Sequence, residues 1–274
     1  MRIFIAGDST TVSWSVSYLP MAGWGQALPL FFSPDVEIVN CGRSKASSKS
    51  FLDRGRLQWI VDSLMPGDYF LICFGHIDRR DPSKHPGLAA PAFSLYQDYL
   101  RTYIDATRSK QAHPVLVTSY ENRTVDAQGN LRRTLVPYPM AMREVAQESF
   151  TPLIDLHRQS TLWWEELGPR GTEELFVHLQ AGEDPLGSVP QTDNTHVRAP
   201  GAIECARYVA RSLLEQGVVP AHRFGDLERD DFDVRELAWL PEEAFDTRVR
   251  SRVSKAAARP LGYAFPSSYQ QSTA

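Results

Sequence analysis

The sequence predicts an α/β protein in which helices cover both faces of a mainly parallel sheet, a three-layer α/β/α domain closing near residue 216. Five short runs are apolar on both parities, as strands buried on both faces must be. Amphipathic helical stretches alternate with them along the chain. A length of 274 residues at 42% hydrophobic content supplies enough apolar material for one substantial core.

Ile3 to Ala6 is the first run, ended by Gly7-Asp8-Ser9, where a glycine and a helix-cap residue mark a strand giving way to a loop or helix. Val36 to Val39 is the second, stopped by Asn40-Cys41-Gly42. Tyr69 to Phe74 is the third. Pro114 to Thr118 is the fourth, with proline at the first position, where a strand tolerates it. Pro152 to Leu156 completes the set. Leu95, Tyr99, Thr102 and Ala106 recur at helical spacing, with Leu100, Tyr103 and Ile104 widening the stripe, and predict a helix over 94–109. A second helix over 138–149 carries Pro139 in its first turn. The last core helix runs from about Gly201 to Leu214 on Ile203, Ala206, Val209, Ala210 and Leu213.

Beyond Gly217 the chain turns charged from Asp226 to Asp231, offers a short helix near Val234 to Leu240, and ends polar from Ser267 to Ala274. It holds too little apolar material for its own core, so residues 217–274 read as an extension of a 1–216 domain. Trp239, Leu240, Phe245, Tyr263 and Phe265 nevertheless require burial, on the main domain or on a partner subunit, and the second case makes the protein a homo-oligomer.

Charge excludes one partner class. The net charge is only -4 and the basic residues are scattered, densest at Arg248, Arg250, Arg252, Lys255 and Arg259, so no nucleic-acid footprint is present. Cys41, Cys73 and Cys205 lie in apolar or glycine-flanked segments without metal-ligand spacing and read as reduced core thiols. No apolar run approaches the roughly 20 residues needed to cross a bilayer. The amino terminus passes directly from Met1 into the Gly7-Asp8-Ser9 segment, which leads us to expect cytoplasmic residence.

Two segments carry candidate chemistry. Ser9, just past the first strand, puts a hydroxyl at the carboxyl edge of the sheet, where open α/β folds hold ligands. The same serine also suits a helix cap. Asp193-Asn194-Thr195-His196 offers what a serine nucleophile needs: a base, and an acceptor three residues away that fixes its tautomer. A polar loop capping the helix near Pro200 is the competing reading. His76, His85, His113, His157, His178 and His222 show no metal-binding spacing, so no metal is expected.

Ile5-Ala6-Gly7-Asp8-Ser9-Thr10-Thr11, Gly23-Trp24-Gly25, Asn40-Cys41-Gly42-Arg43-Ser44, Phe74-Gly75-His76-Ile77-Asp78 and Asp193-Asn194-Thr195-His196 follow one another as in SGNH (GDSL-type) hydrolases. The chain most resembles the rhamnogalacturonan acetylesterase-like branch, which deacetylates plant cell-wall polysaccharides, over residues 1 to about 215. The resemblance implies a flavodoxin-like domain without metal or organic cofactor. It also implies Ser9 as nucleophile, Asp193 and His196 as its partners, and the backbone N–H groups of Ser9 and Gly42 as an oxyanion hole. Ile77 stands where that family has an asparagine, a third donor, and isoleucine has none. Three explanations are open: substitution by His76, Arg79 or another donor; drift to binding; or deliberate inactivation.

Trp14, Tyr18, Trp24 and Tyr120 are candidate sugar platforms, and Arg43, Lys45, Arg79 and Arg80 candidate partners for a uronic carboxylate. His76 joins Trp24, Arg43, Arg79 and Tyr120 as a candidate substrate contact. The expected partner is an acetylated oligosaccharide or small acetyl ester. The sequence therefore points to a serine esterase that deacetylates a carbohydrate, weakened by Ile77, with a noncatalytic carbohydrate-binding relative as the alternative.

Overall fold

A computed structural model describes residues 1–180 and 191–241. The chain opens with β1 (Arg2–Gly7), β2 (Met21–Ala22) and the short α1 (Trp24–Ala27), then β3 (Glu37–Asn40), α2 (Ser48–Asp53) and α3 (Arg56–Ser63). It continues through β4 (Tyr69–Cys73), α4 (Gln97–Arg108), β5 (His113–Val117), the small hairpin β6 (Thr124–Val125) and β7 (Leu131–Arg132), and α5 (Tyr138–Glu148). Last come β8 (Leu153–Ile154), α6 (Leu156–Leu175), β9 (Phe176–Leu179), β10 (Gln191–Arg198) and α7 (Ala199–Glu215).

The central sheet runs in the order β3-β1-β4-β5-β8, every pair parallel. Counted along the chain that is 2-1-3-4-5, the flavodoxin-like order, whose switch point lies between β1 and β4. The three-layer architecture follows from alternation within each strand. Ile3 and Ile5 of β1 and Leu71 and Cys73 of β4 face a layer containing Trp24, Phe31, Trp164 and the α7 residues Ala206, Val209 and Leu213. Phe4, Ala6, Phe70 and Ile72 face the opposite layer of Phe51, Leu57, Ile60, Tyr103, Met142 and Val145. Each large aliphatic or aromatic side chain among these gains about 1.5–3 kcal/mol on leaving water, which holds helices against both faces of the sheet.

Boundaries differ from the sequence reading for local reasons. The fourth strand begins at His113, and Pro114 is its second residue; β8 first receives a bond at Leu116, so the donor missing from proline falls where no neighbouring strand has begun. The fifth strand stops at Ile154 because Asp155 caps α6, its carboxylate accepting from Arg158 N at 3.2 Å. The 94–109 stretch opens as a wider helical turn over Ala92–Tyr96 before α4. The short helix expected near Val234 to Leu240 is one turn, Val234–Glu236. Not foreseen from the sequence were α2, α3, the β6–β7 hairpin, the second, antiparallel sheet ordered β2-β10-β9, and α6, which bends at Gly168 (φ 68°) and Pro169.

The carboxy-terminal stretch as far as residue 241 lies on the main body. Phe224 lies tilted against Phe32 at 4.8 Å, and Phe232 meets Phe31 edge-on at 5.4 Å. Leu227 and Leu237 are buried, and Leu240 N donates to Trp14 O at 2.9 Å. Phe245, Arg248, Arg250, Arg252, Lys255, Arg259, Tyr263 and Phe265, and the polar end from Ser267 to Ala274, lie outside the described residues. Cys73 and Cys205 are buried, Cys41 is half-buried, and all three are free thiols. Among the described residues no helix is long and apolar enough to cross a membrane.

Candidate active site

β1 ends at the switch point, so the turn that follows it stands beside the loop leaving β4; Gly7 and Cys73 are register partners, and Ser9 and Ile77 come shortly after each. The turn is fixed by its own side chains. Asp8 Oδ1 accepts from Thr10 N at 3.0 Å and from Thr10 Oγ1 at 2.8 Å, and Thr11 Oγ1 donates to Asp8 O at 2.9 Å. Ser9 is left with its hydroxyl toward the cleft, 6% exposed.

His196 reaches it from β10. Antiparallel pairing with β9 slips between Asp193 and Val197, a bulge that turns the intervening residues out of register. The segment expected as a loop is therefore a distorted strand running into α7. Asp193 Oδ1 gathers the N–H groups of Thr195 (2.8 Å) and His196 (2.9 Å), and its Oδ2 lies 2.7 Å from His196 Nδ1. His196 Nε2 is 2.7 Å from Ser9 Oγ. Ser9, separated by nearly the whole domain from Asp193 and His196, thus joins them in one hydrogen-bonded line, within the reach that proton transfer requires. Burial opposes ionisation of Asp193, but the bonds and charge of His196 and the Thr195 N–H outweigh it and hold the carboxyl below its ordinary range.

Gly42 sits on the other flank. A Cβ there would lie 2.3 Å from Thr11 Oγ1, so only glycine fits against the serine turn. Asn40 ties the two loops, donating through Nδ2 to Thr11 O (2.6 Å) and Ser13 Oγ (3.0 Å), while its Oδ1 accepts from Gly42 N at 3.1 Å. An oxyanion bound to Gly42 N–H must share that donor with Asn40.

The β4 loop contributes Gly75 to Asp78. Gly75 has φ 151°, a backbone state that favours glycine. His76 is buried behind the serine turn, its Nδ1 3.5 Å from Asp8 Oδ2 and its ring edge-on to Tyr120. Burial works against ionisation of Asp8, yet His76 and Thr10 lower its pKa overall. Ile77 is buried and offers only an apolar side chain at the position of the expected asparagine. Asp78 is wholly buried and holds the start of α2, accepting from Ser48 N at 3.0 Å.

Several expected contacts take other positions. Trp24 and Tyr120 have no exposed surface and cannot carry a sugar; Trp24 fills the core beneath α7, and Tyr120 OH donates to Thr195 O at 2.9 Å, supporting the His196 strand from below. Trp14 is buried too, its ring edge-on to His196 at 5.9 Å. His76 is enclosed. Arg43 borders a cavity beside Gly42, whereas Arg79 is exposed on the β4 loop. Among the described residues no cluster of three or more His, Cys, Asp or Glu side chains could hold a metal ion.

Arg123 was not singled out from the sequence. Its backbone N–H donates to Asn194 O at 2.8 Å, and its guanidinium binds Pro169 O, Thr172, Glu173 and Asn194 Oδ1. It clamps bent α6 to the strand carrying Asp193 and His196. No short-range pattern announces a contact spanning 71 residues.

Residues 5–181 match the family model described as GDSL-like Lipase/Acylhydrolase family. The chain is 39% identical over 218 residues to the rhamnogalacturonan acetylesterase RhgT of Bacillus subtilis (strain 168), covering 80% of this chain and 91% of that protein. It is 32% identical to the probable rhamnogalacturonan acetylesterase YesY of the same strain, covering 79% and 94%. Among solved structures, that of the Bacillus subtilis protein YxiM matches with a TM-score of 0.66 at 26% identity, covering 80% of this chain but 57% of that one. A catalytic mutant of Axe2, an acetylxylan esterase from Geobacillus stearothermophilus, shares the fold at 17% identity with a TM-score of 0.53, covering 78% and 93%.

Proposed function

The chain belongs to the GDSL-like lipase/acylhydrolase family, and on that footing we propose that it is a serine esterase releasing acetate from a carbohydrate, a pectin- or xylan-derived glycan or oligosaccharide. The observation that carries this reading is the line from Ser9 Oγ through His196 to Asp193, 2.7 Å at each step. The sugar class is supported by the names of its relatives, two of them rhamnogalacturonan acetylesterases.

His196 Nε2 takes the Ser9 proton as Oγ attacks the acetyl carbonyl. The ionised Asp193 opposes the imidazolium that forms, and the backbone N–H groups of Ser9 and Gly42 receive the oxyanion. The imidazolium then protonates the departing sugar hydroxyl, leaving an acetyl-serine. Water deprotonated by His196 attacks that ester and frees acetate. A nucleophile as enclosed as Ser9 favours a small acyl group.

Ile77 makes the hole one donor short of the family pattern. Loss of one such donor costs about 2.7–4 kcal/mol of transition-state stabilisation, roughly 100- to 1,000-fold in rate. We therefore read the enzyme as active but slowed. Acetate release from an acetylated oligosaccharide, abolished in Ser9→Ala, is the expected outcome; release that persists in the variant would exclude Ser9 as nucleophile.

A further inference from the structure

A cavity of about 710 Å³ lies along the outer edge of the sheet, apart from the triad. It is bounded by Ser13 and Gly42, which adjoin the serine turn, by the edge strand β3, and by Arg56 and Trp59 of α3, with Leu240 on its rim. Its volume is that of ordinary small-ligand sites.

Arg56 is its unusual member. The residue is 9% exposed, yet its guanidinium makes no ion pair or hydrogen bond with any described residue. Of the two carboxylates that border the cavity, Asp62 accepts from Gln58 at 2.7 Å, and neither it nor Glu37 pairs with Arg56. Burial and the neighbouring Arg54 lower the pKa of the group, offset only in part by the Cys41 sulfur, so its charge is held at a cost. A largely buried guanidinium without a carboxylate partner, standing on the wall of a cavity, is a site for an anion from outside. Beside it Trp59 is 57% exposed, with an aromatic side chain of the kind a sugar ring covers.

We infer that this cavity is a second subsite, in which a sugar unit bearing a carboxylate sets that group on Arg56 and its ring against Trp59. The inference rests on the carbohydrate reading above and extends it to a part of the ligand remote from the scissile acetyl. A planar guanidinium suits a carboxylate because it can donate two parallel bonds. A peptide strand added to β3 is the competing occupant. It is disfavoured because the Gly42 N–H at the end of that edge is already taken by Asn40.

The test is calorimetric titration of the full chain with unacetylated trigalacturonate and, for comparison, neutral xylotriose. The uronate should bind at least tenfold tighter than the neutral sugar. Arg56→Gln should cost at least tenfold on the uronate while barely moving xylotriose, and Arg56→Lys should recover part of the loss. Should Arg56→Gln melt too low to assay, Trp59→Ala at the exposed position carries the test, with at least fivefold weakening of the uronate expected. Equal affinity for both sugars, no uronate binding, an Arg56→Gln variant that binds as well as the parent, or preference for triglutamate over the uronate would each overturn the inference. Binding is read here without turnover. A chain that cleaves esters but fails this titration loses only the subsite, and one that binds the uronate but releases no acetate loses the esterase reading instead.

Discussion

Asp8 and Asp78 are both completely buried near the nucleophile, and their carboxyls respond in opposite directions. His76 and Thr10 keep Asp8 ionised. Burial pushes Asp78 up to about 7, only partly offset by the Ser48 hydrogen bonds. Between the ordinary value of 3.8 and about 7 the folded chain keeps a proton that the unfolded chain releases. The contribution of Asp78 is thus fully present below pH 3.8 and is lost as pH rises through 7. Asp78→Asn retains an oxygen for Ser48 and cannot ionise. Between pH 5 and 8 the parent Tm should fall further than that of Asp78→Asn, by at least about 3 °C, since 1 kcal/mol moves Tm by about 2–4 °C in a domain of this size. Parallel melting curves would show that Asp78 is not protonated in the fold. Position at the end of an apolar run or ahead of a helix left Ser9, Asp193 and His196 equally open to capping roles; it was the order of motifs resembling SGNH hydrolases that singled them out, and the fold brings the three within hydrogen-bond reach. Trp24 and Tyr120 were misread as surface platforms, since a large aromatic near a strand-end loop looks alike whether it faces solvent or core.

The parallel strands and the helices α4, α5 and α7 could be read from periodicity, whereas α2, α3, α6 and the strands that deliver His196 could not. β2 is two residues long, β10 is polar, and β9 is a four-residue run that directly follows α6, so no alternation or isolated apolar run marks this antiparallel sheet. The bulge in β10 and the Arg123 clamp are tertiary facts. On the opposite flank the Gly42 loop is held by close approach to the serine turn. Thr11 Oγ1, the atom a Cβ would strike, cannot swing away because it donates to Asp8 O at 2.9 Å. Gly42→Ala must therefore shift backbone that we propose carries an oxyanion donor. A loss of kcat/KM of at least tenfold, about 1.4 kcal/mol in barrier, is expected on a small acetyl ester, with a lower Tm. Activity and Tm both equal to the parent's would mean that the loop relaxes freely.

For the molecule as a whole, residues 217–241 lie on the main body along a path that composition does not give. Arg207 Nη1 donates to Leu227 O at 2.6 Å and its guanidinium lies over both Phe31 and Phe232, joining α7 to this stretch through the core. Truncation after residue 220 uncovers Phe31, Phe32 and their neighbours. A fall in Tm of more than about 5 °C is expected. An unchanged Tm would count against docking of the stretch. Sedimentation of the same pair tests whether the extension joins subunits, as we propose: a lower mass after truncation supports a homo-oligomer held through it, and an unchanged mass excludes that role.

The central claim joins a Ser9-based esterase to a deficit at Ile77, and kcat/KM for acetate release from a small acetyl ester tests both parts at once. The parent chain, Ile77→Asn, and Ile77→Asn combined with Ser9→Ala are the three proteins to compare. An amide N–H near the developing oxyanion acts on the transition state more than on bound substrate, so Ile77→Asn should raise kcat/KM at least tenfold and up to roughly 1,000-fold. Ser9→Ala in that background should return it to the uncatalysed level. A parent that is already efficient and an Ile77→Asn variant that gains nothing, or a double variant that still releases acetate, would contradict the claim.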